Sequence, residues 1–312
     1  MTPKSSMVIT VLLHLAVILG FSPFLLGIIG KTKAFFAGRW GPPLLQPYYD
    51  ILKLFRKGCV YSVTTTWIFR AAPMIAMSAI LMAGVLMPMG ALKAPVQFWG
   101  DLILFAYLFG LARFFIILAA LDTGSSFEGM GASREATFAC LSEGTVFLDL
   151  TVLALLSQSL SLSNMIGGDI ALSWHAIGPA LLLVIISFFL ILLAENSRIP
   201  VDDPATHLEL TMIHEVMVLD HSGVDLAYIM YGSAAKLFIL GSFLIPIALP
   251  FKIQNAWMDM GLFLSGMIGL AALIGVVEAT MARLRLNRVP YLLISALILA
   301  IFGLIVTLVR GH

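Results

Sequence analysis

The chain has 312 residues, is 60% hydrophobic and only 11% charged, and its mean hydropathy is +1.02. Soluble domains carry about 25% charged residues, so the composition excludes a water-soluble globular protein and points to an integral membrane protein. A net charge of +1 gives no electrostatic footing for nucleic acid, and two cysteines, Cys59 and Cys140, are too few and too far apart for an iron–sulfur or zinc site.

Continuous apolar runs of about 20 residues select membrane-spanning helices over the alternating strands of a barrel. Eight runs qualify: 7–30, 68–92, 101–121, 137–160, 174–194, 234–251, 257–280 and 290–309. Span 4 carries Glu143 and Asp149, span 6 carries Pro246, and span 7 is glycine-rich and ends at Glu278; Gly and Pro are ordinary in membrane helices. The first run is too long for a signal-peptide core and lacks a small-x-small cleavage site, so it is expected to be retained. Eight spans place both termini on one side. The odd-numbered loops hold eleven Lys and Arg residues, the even ones only Lys93 and Lys252. The positive-inside rule therefore turns the odd loops to the cytoplasm and both termini outward, to the periplasmic side of a prokaryotic inner membrane. The expected fold is all-α and polytopic: a single transmembrane domain over 1–312 with cytoplasmic loops 31–67, 122–136 and 195–233. No internal repeat and no pair of broken helices is visible, which argues against a secondary transporter.

Loop 1 contains RWGPPLLQPYYDILKLFRKG. Pro42 and Pro43 disfavour helix before them. After Pro47, the apolar Tyr48, Ile51, Leu52, Leu54 and Phe55 recur at helical spacing, with Asp50, Lys53, Arg56 and Lys57 on other faces. The spacing predicts an amphipathic helix along the membrane surface, serving as an interfacial anchor or as a docking platform for a peripheral protein. In loop 3, Asp122 to Gly131 reads as a Gly/Ser-rich loop, and Ser133 reads as the N-cap of span 4, with Arg134 and Glu135 in its first turn. Glu143 lies about two turns deeper, and Arg113 sits within span 3. Ionisable groups at such depth face a wet cavity or each other. Arg113 and Glu143 thus fit one structural ion pair, or Glu143 belongs to a proton path.

Loop 5 opens with AENSRIPVDDPATHLEL and holds seven acids through Asp225, one Arg and no Lys. Pro200 and Pro204 stop any helix after Glu195, and a helix is expected from Ala205 through Leu219. Its acids, including Glu209, Glu215 and Asp220, form no single stripe. They read as a solvated face or as carboxyls whose mutual repulsion and burial prepare them for proton exchange. His207, His214 and His221 recur every seven residues, roughly 10 Å of helical rise, too far apart for one metal ion. No metal site is assigned. No nucleophile–base pair, phosphate loop or cofactor motif stands in the chain, so no catalytic residue is assigned either.

GPPLLQPYYDILKLFRKG resembles the loop after the first helix in subunit 1 of respiratory complex I, and more closely that of the related membrane subunit of formate hydrogenlyase and hydrogenase-4, in the group 4 nickel–iron hydrogenases. LDTGSSFEGMGASREA and MARLRL look hydrogenase-like, and AENSRIPVDDPATHLEL is similar to the complex I pattern Ala-Glu, Arg-x-Pro-x-Asp-x-Pro, Glu-Leu. The resemblance runs from about Gly38 to Arg285. It implies a membrane subunit with no active site of its own. Such a subunit anchors a cytoplasmic arm whose iron–sulfur and large hydrogenase-like subunits carry the clusters and the nickel–iron site. It also links redox chemistry to antiporter-like membrane subunits through an acidic funnel. Carried over, the funnel comprises Glu143, Glu195, Asp202, Glu209 and Asp220, with Glu215 beside them. Arg113, Arg134, Glu135 and Arg198 supply supporting charge. Arg39, Gln46, Asp50 and Lys53 fall on the arm-docking loop.

Where complex I often has acids after the second proline, this chain has Ala205 and His207, and His221 replaces a Tyr. These departures speak against a quinone site and for a hydrogenase-type complex. Complex I subunit 1 with a quinone chamber, a stand-alone ion transporter and an anchor without pumping are the competing readings.

Overall fold

The computed structural model describes residues 3–167, 170–202, 212–250 and 255–310. Among them run α1 (Pro3–Phe36), α2 (Gln46–Phe55), α3 (Trp67–Leu86), α4 (Asp101–Asp122), α5 (Ser126–Ser157), α6 (Leu162–Gly167), α7 (Ile170–Glu195), α8 (Gly223–Ala248), α9 (Ala256–Thr280) and α10 (Val289–Arg310). All but α2 and α6 are long and apolar enough to cross a membrane, which gives the eight spans expected. In lipid the backbone must satisfy its own hydrogen bonds, so each apolar run closes into a helix.

The bundle is built around α8, which packs against α1, α2, α3, α7 and α9. Its Ala235, Phe238, Ile239 and Phe243 are fully enclosed. On the flanks, α3 pairs with α4, and α10 lies against α5 and α7. The helix ends that frame the site have local causes. Thr66 caps α3 by accepting the Ile68 N–H, and its own N–H donates to Asp122 Oδ2 at 2.6 Å. At the end of α7, Ser197 takes a left-handed φ of +51°, Arg198 N–H reaches Leu193 O at 2.8 Å and Ser197 N–H reaches Ala194 O at 3.1 Å. This is a Schellman stop, with Pro200 just beyond to prevent continuation. The helix therefore ends with Glu195 in its last turn.

Three local expectations differ from the structure. Helix α5 begins at Ser126, so the glycine-rich stretch is helical and Ser133 is an interior residue, not a cap. Burial overrides the poor helix propensity there. A methyl group on Gly131 would run into Val216 and Met217, so only glycine lets α5 approach that segment. Helix α8 starts at Gly223, well before the apolar run at 234. Polar residues in its first turns are accommodated because they find partners inside the bundle, as Tyr231 does by donating to Leu19 O. Finally, the described part of the stretch expected to be helical from Ala205 contains only a 3-10 turn, Glu215–Val218. Residues 203–211, including His207 and Glu209, lie outside the described residues.

Candidate functional site

Four spans bring charge together around Arg113. Its side chain projects from the middle of α4 and is 8% exposed. Its Nη1 binds Glu143 of α5, its Nη2 binds Glu195 of α7, and its Nε lies 3.2 Å from Glu135 of α5. Glu135 and Glu143 are two turns apart on one helix, so both reach the same guanidinium. Lys236 of α8 completes the group, with Nζ 2.6 Å from Glu195 Oε2. The other oxygen, Glu195 Oε1, accepts the Ser142 hydroxyl at 2.6 Å. Three carboxylates thus meet two cations. Burying such a set is tolerated because each charge has an opposite neighbour within contact distance.

Among the described residues, three cavities open on this cluster, and Glu195 lines each of them. One has apolar walls from Met77, Ile80, Phe109 and Ile229 and a polar end formed by Arg113, Glu135, Glu195, His214 and Lys236. A second lies between α5 and loop 5, against Ser142, Ser197 and Asp202. A third, against Phe105, Gly110, Glu143 and Phe147, opens between α4, α5 and α8. Burial holds the His214 imidazole below its ordinary value of 6.5, against the raising effect of Glu135 and Asp202 and with Lys236 and Arg113 acting in the same direction as burial.

Loop 5 is clasped by its own acids. Asp202, 2% exposed, binds Arg283 through Oδ1 at 2.9 Å. Its Oδ2 accepts the N–H groups of Ile213 at 3.0 Å and His214 at 3.2 Å. The two ends of segment 203–211 are thereby held together. Pro200 O accepts the Leu284 N–H at 2.9 Å, which ties the loop to the α9–α10 connection. Buried Glu278 binds Lys33 of α1 at 2.9 Å and Arg198 at 3.4 Å. The expected shortage of basic partners in loop 5 is therefore local to the loop, since Arg113, Lys236 and Arg283 arrive from other segments.

The sequence matches the NADH dehydrogenase family over residues 8–308, nearly the whole chain. The chain belongs to that family, which includes complex I subunit 1. Among curated relatives of this family member is hydrogenase-4 component C of Escherichia coli, 34% identical over 78% of the chain and 76% of the relative. Another is formate hydrogenlyase subunit 4 of the same organism, 31% identical over 89% of the chain and 92% of the relative. In fold, the chain is similar to a chain of the membrane-bound sulfane sulfur reductase, an archaeal respiratory membrane complex. That similarity has a TM-score of 0.79 at 23% identity and covers 96% of this chain and 99% of the other.

The remaining acids and basic residues singled out from the sequence are dispersed in this family member. Arg134 donates to Met212 O at 2.8 Å, pinning the far end of loop 5. Glu215 opens the 3-10 turn, and exposed Asp220 presents its N–H to buried Glu128 at 3.0 Å. In α2, Gln46 donates to Asp50 at 2.8 Å, while Arg39 and Lys53 are exposed. The helix is amphipathic as expected: Ile51 is buried, Phe55 packs edge-on against Tyr228 of α8, and Tyr49 and Leu52 remain exposed.

Sequence reasoning missed Lys236, Ser142 and the part played by Glu278 and Arg283. Lys236 had a readable signal, since a lone lysine inside an apolar span is a functional-site candidate by cost alone. Ser142 had none.

His221 is 4% exposed and stacks on Phe69, with ring centroids 3.9 Å apart and planes 6° apart. Burial pushes its pKa down from 6.5 to about 4. Between those values the unfolded chain takes up a proton that the folded chain refuses. Stability is therefore full above about pH 6.5, falls as pH drops, and levels off below about 4. The total is about 3 kcal/mol at the standard conversion. His221→Phe keeps the stack and is expected to flatten that slope in thermal unfolding of the detergent-solubilised protein. A variant with an unchanged slope would refute this assignment.

Proposed function

We propose that this chain is the membrane subunit of a hydrogenase-4 or formate hydrogenlyase-like complex. It anchors the cytoplasmic electron-transfer arm and couples redox chemistry there to proton translocation. The resemblance to the two hydrogen-metabolising relatives supports the class of complex. The observation that carries the coupling is Glu195: a buried carboxyl at the end of a span, held by Arg113 and Lys236, lining three cavities that meet the cluster among the described residues.

Such a group responds strongly to charge. Added or withdrawn charge at the loop 5 mouth alters the competition between Glu135, Glu143 and Glu195 for Arg113, and a carboxyl released from its cation gains affinity for a proton. The iron–sulfur and nickel–iron chemistry belongs on the partner subunits, and this chain contributes position, electrostatics and the proton route. Antiporter-like membrane subunits receive the protons. The exposed face of α2, with Tyr49, Leu52, Lys53 and Arg56, suits arm docking. The setting is a prokaryotic inner membrane, with loops 1, 3 and 5 cytoplasmic and both termini outward.

The test uses the assembled complex in liposomes. Glu143→Gln, at a half-exposed carboxyl, is expected to leave the complex assembled, Glu195→Gln to lower its yield, and both to lower protons moved per turnover of the assembled complex at least several-fold. Copurification without iron–sulfur or hydrogenase-like partners refutes the anchoring role. Unchanged proton movement in both variants refutes the coupling role and leaves an anchor.

The apolar walls and charged end of the cavity against Met77, Phe109 and Arg113 favour one second reading, a complex I-type subunit with a quinone chamber. Competition by short-chain quinones for a quinone-site inhibitor separates the two, since only the second reading expects it.

A further inference from the structure

Asp149 has no part in the cluster around Arg113, yet it is fully buried within α5. Among the described residues, no cation contacts it. Its Oδ2 lies 2.9 Å from Ser187 Oγ of α7, and its Oδ1 has no hydrogen-bond partner. The same Ser187 Oγ lies 3.0 Å from Ala296 O of α10. A hydroxyl carries one hydrogen, and a backbone carbonyl only accepts. When Ser187 donates to Ala296, the contact with Asp149 requires the carboxyl to be the donor. The chain of groups Asp149, Ser187, Ala296 is then complete with a neutral acid at its head, and it needs no counter-charge in an enclosed apolar setting.

The position of this unit relates it to the cluster. Ser142, Thr145 and Asp149 are all buried on α5 at spacings of three and four, which is one helix face. Ser142 bonds Glu195 near the end of α7, and Asp149 bonds Ser187 two turns further along both helices, roughly 10 Å deeper. Polar rungs thus repeat down the α5–α7 seam, and between them the buried Thr145 hydroxyl donates to Leu141 O of its own helix at 2.8 Å.

Resting on the proton-coupling reading, we propose that Asp149 is a relay residue that takes up and releases a proton along the α5–α7 seam below Glu195. In each cycle one O–H bond on the carboxyl is made and one is broken, and no electron moves. Once the carboxyl has released its proton, Ser187 turns its hydroxyl to donate to Oδ2, and Oδ1, without a hydrogen-bond partner among the described residues, is the atom that takes up the next proton.

Asp149→Asn reproduces the shape and donor of the neutral acid, so the fold is expected to survive, but the side chain no longer exchanges a proton. In the assembled complex in liposomes, D149N is expected to copurify with its partners at the wild-type level and to lower protons moved per turnover several-fold. Infrared spectroscopy reads the residue independently. The wild-type complex is expected to show a protonated-carboxyl carbonyl band that shifts in heavy water, changes on turnover and disappears in D149N. Absence of that band, or its persistence in D149N, overturns the proposal, as does an unchanged proton ratio in the variant. If the wild-type complex moves no protons at all, the coupling reading fails, while the band still decides whether Asp149 exchanges one. Asp149→Leu removes the bond to Ser187, so a defect shared equally by D149L and D149N in assembly alone marks a structural bridge and overturns the relay.

Discussion

Arg113→Leu is expected to prevent accumulation of the folded protein. The substitution leaves Glu135, Glu143 and Glu195 facing one another with Lys236 as the remaining cation in the cluster. Removing one partner of a buried ion pair costs about 3–5 kcal/mol, because the abandoned charge stays buried. Two of these three carboxylates are largely buried, so the upper end applies. That is a large fraction of a typical net stability of about 5–15 kcal/mol. Arg113→Lys keeps the charge but has one donor head in place of a planar fork, so it cannot hold carboxylates arriving from two helices at once. It is expected to fall between the wild type and the leucine variant. Yield of monodisperse protein from membranes and the midpoint of thermal unfolding in detergent measure both variants. A leucine variant with wild-type yield and midpoint would show that the cluster contributes nothing to the fold.

Glu278→Ala is expected to be the next most damaging change. The carboxyl is fully enclosed at the end of α9 and holds Lys33 of α1 and Arg198 of loop 5. Its loss strands a largely buried guanidinium and releases both the loop and α1 from α9 at this point, at a cost of about 3 kcal/mol. Lys33 is partly exposed and recovers some hydration, which keeps the effect below that of Arg113→Leu. Unlike the Arg113 variants, Glu278→Ala acts on loop 5 from the side away from the cavities. Protease nicking near Arg198 and the unfolding midpoint are the measurements, and an unchanged cleavage rate would refute the role in loop anchoring. Lys33→Met should show a smaller loss, and the double variant less than the sum of the two, since both remove the same contact.

Much of the fold was legible because lipid imposes a local rule. About 20 apolar residues must stand together to cross a bilayer, and that run is visible in any window of the sequence. The rule weakens where protein, not lipid, surrounds a helix. The first turns of α8 are polar enough to read as loop, yet the centre of the bundle encloses them. The opening turns of α5 are rich in glycine, yet tight packing against Val216 and Met217 makes them helical. Acids at a span end and the family resemblance flagged Glu195, and Glu143 and Arg113 were singled out on the cost of burying charge. Their arrangement was not legible. Arg113 lies 30 residues from Glu143 and 82 from Glu195, and nothing local states which of several carboxyls shares its guanidinium.

By itself, then, the sequence determined that the chain spans the membrane eight times, that the helix ending at Glu195 stops before Pro200, and that ionisable groups lie deeper than lipid permits without partners. Each follows from short-range chemistry: hydropathy, backbone geometry and desolvation cost. Only the tertiary structure decided that loop 5 is held by cations from α4, α8 and the α9–α10 connection and by Glu278 of α9, that Glu195 faces three cavities at the cluster among the described residues, and that Asp149 sits beneath it on the same helix seam. Those are facts of helix packing, in which residues far apart in the chain meet because close-packed helices leave few ways to pair every buried charge.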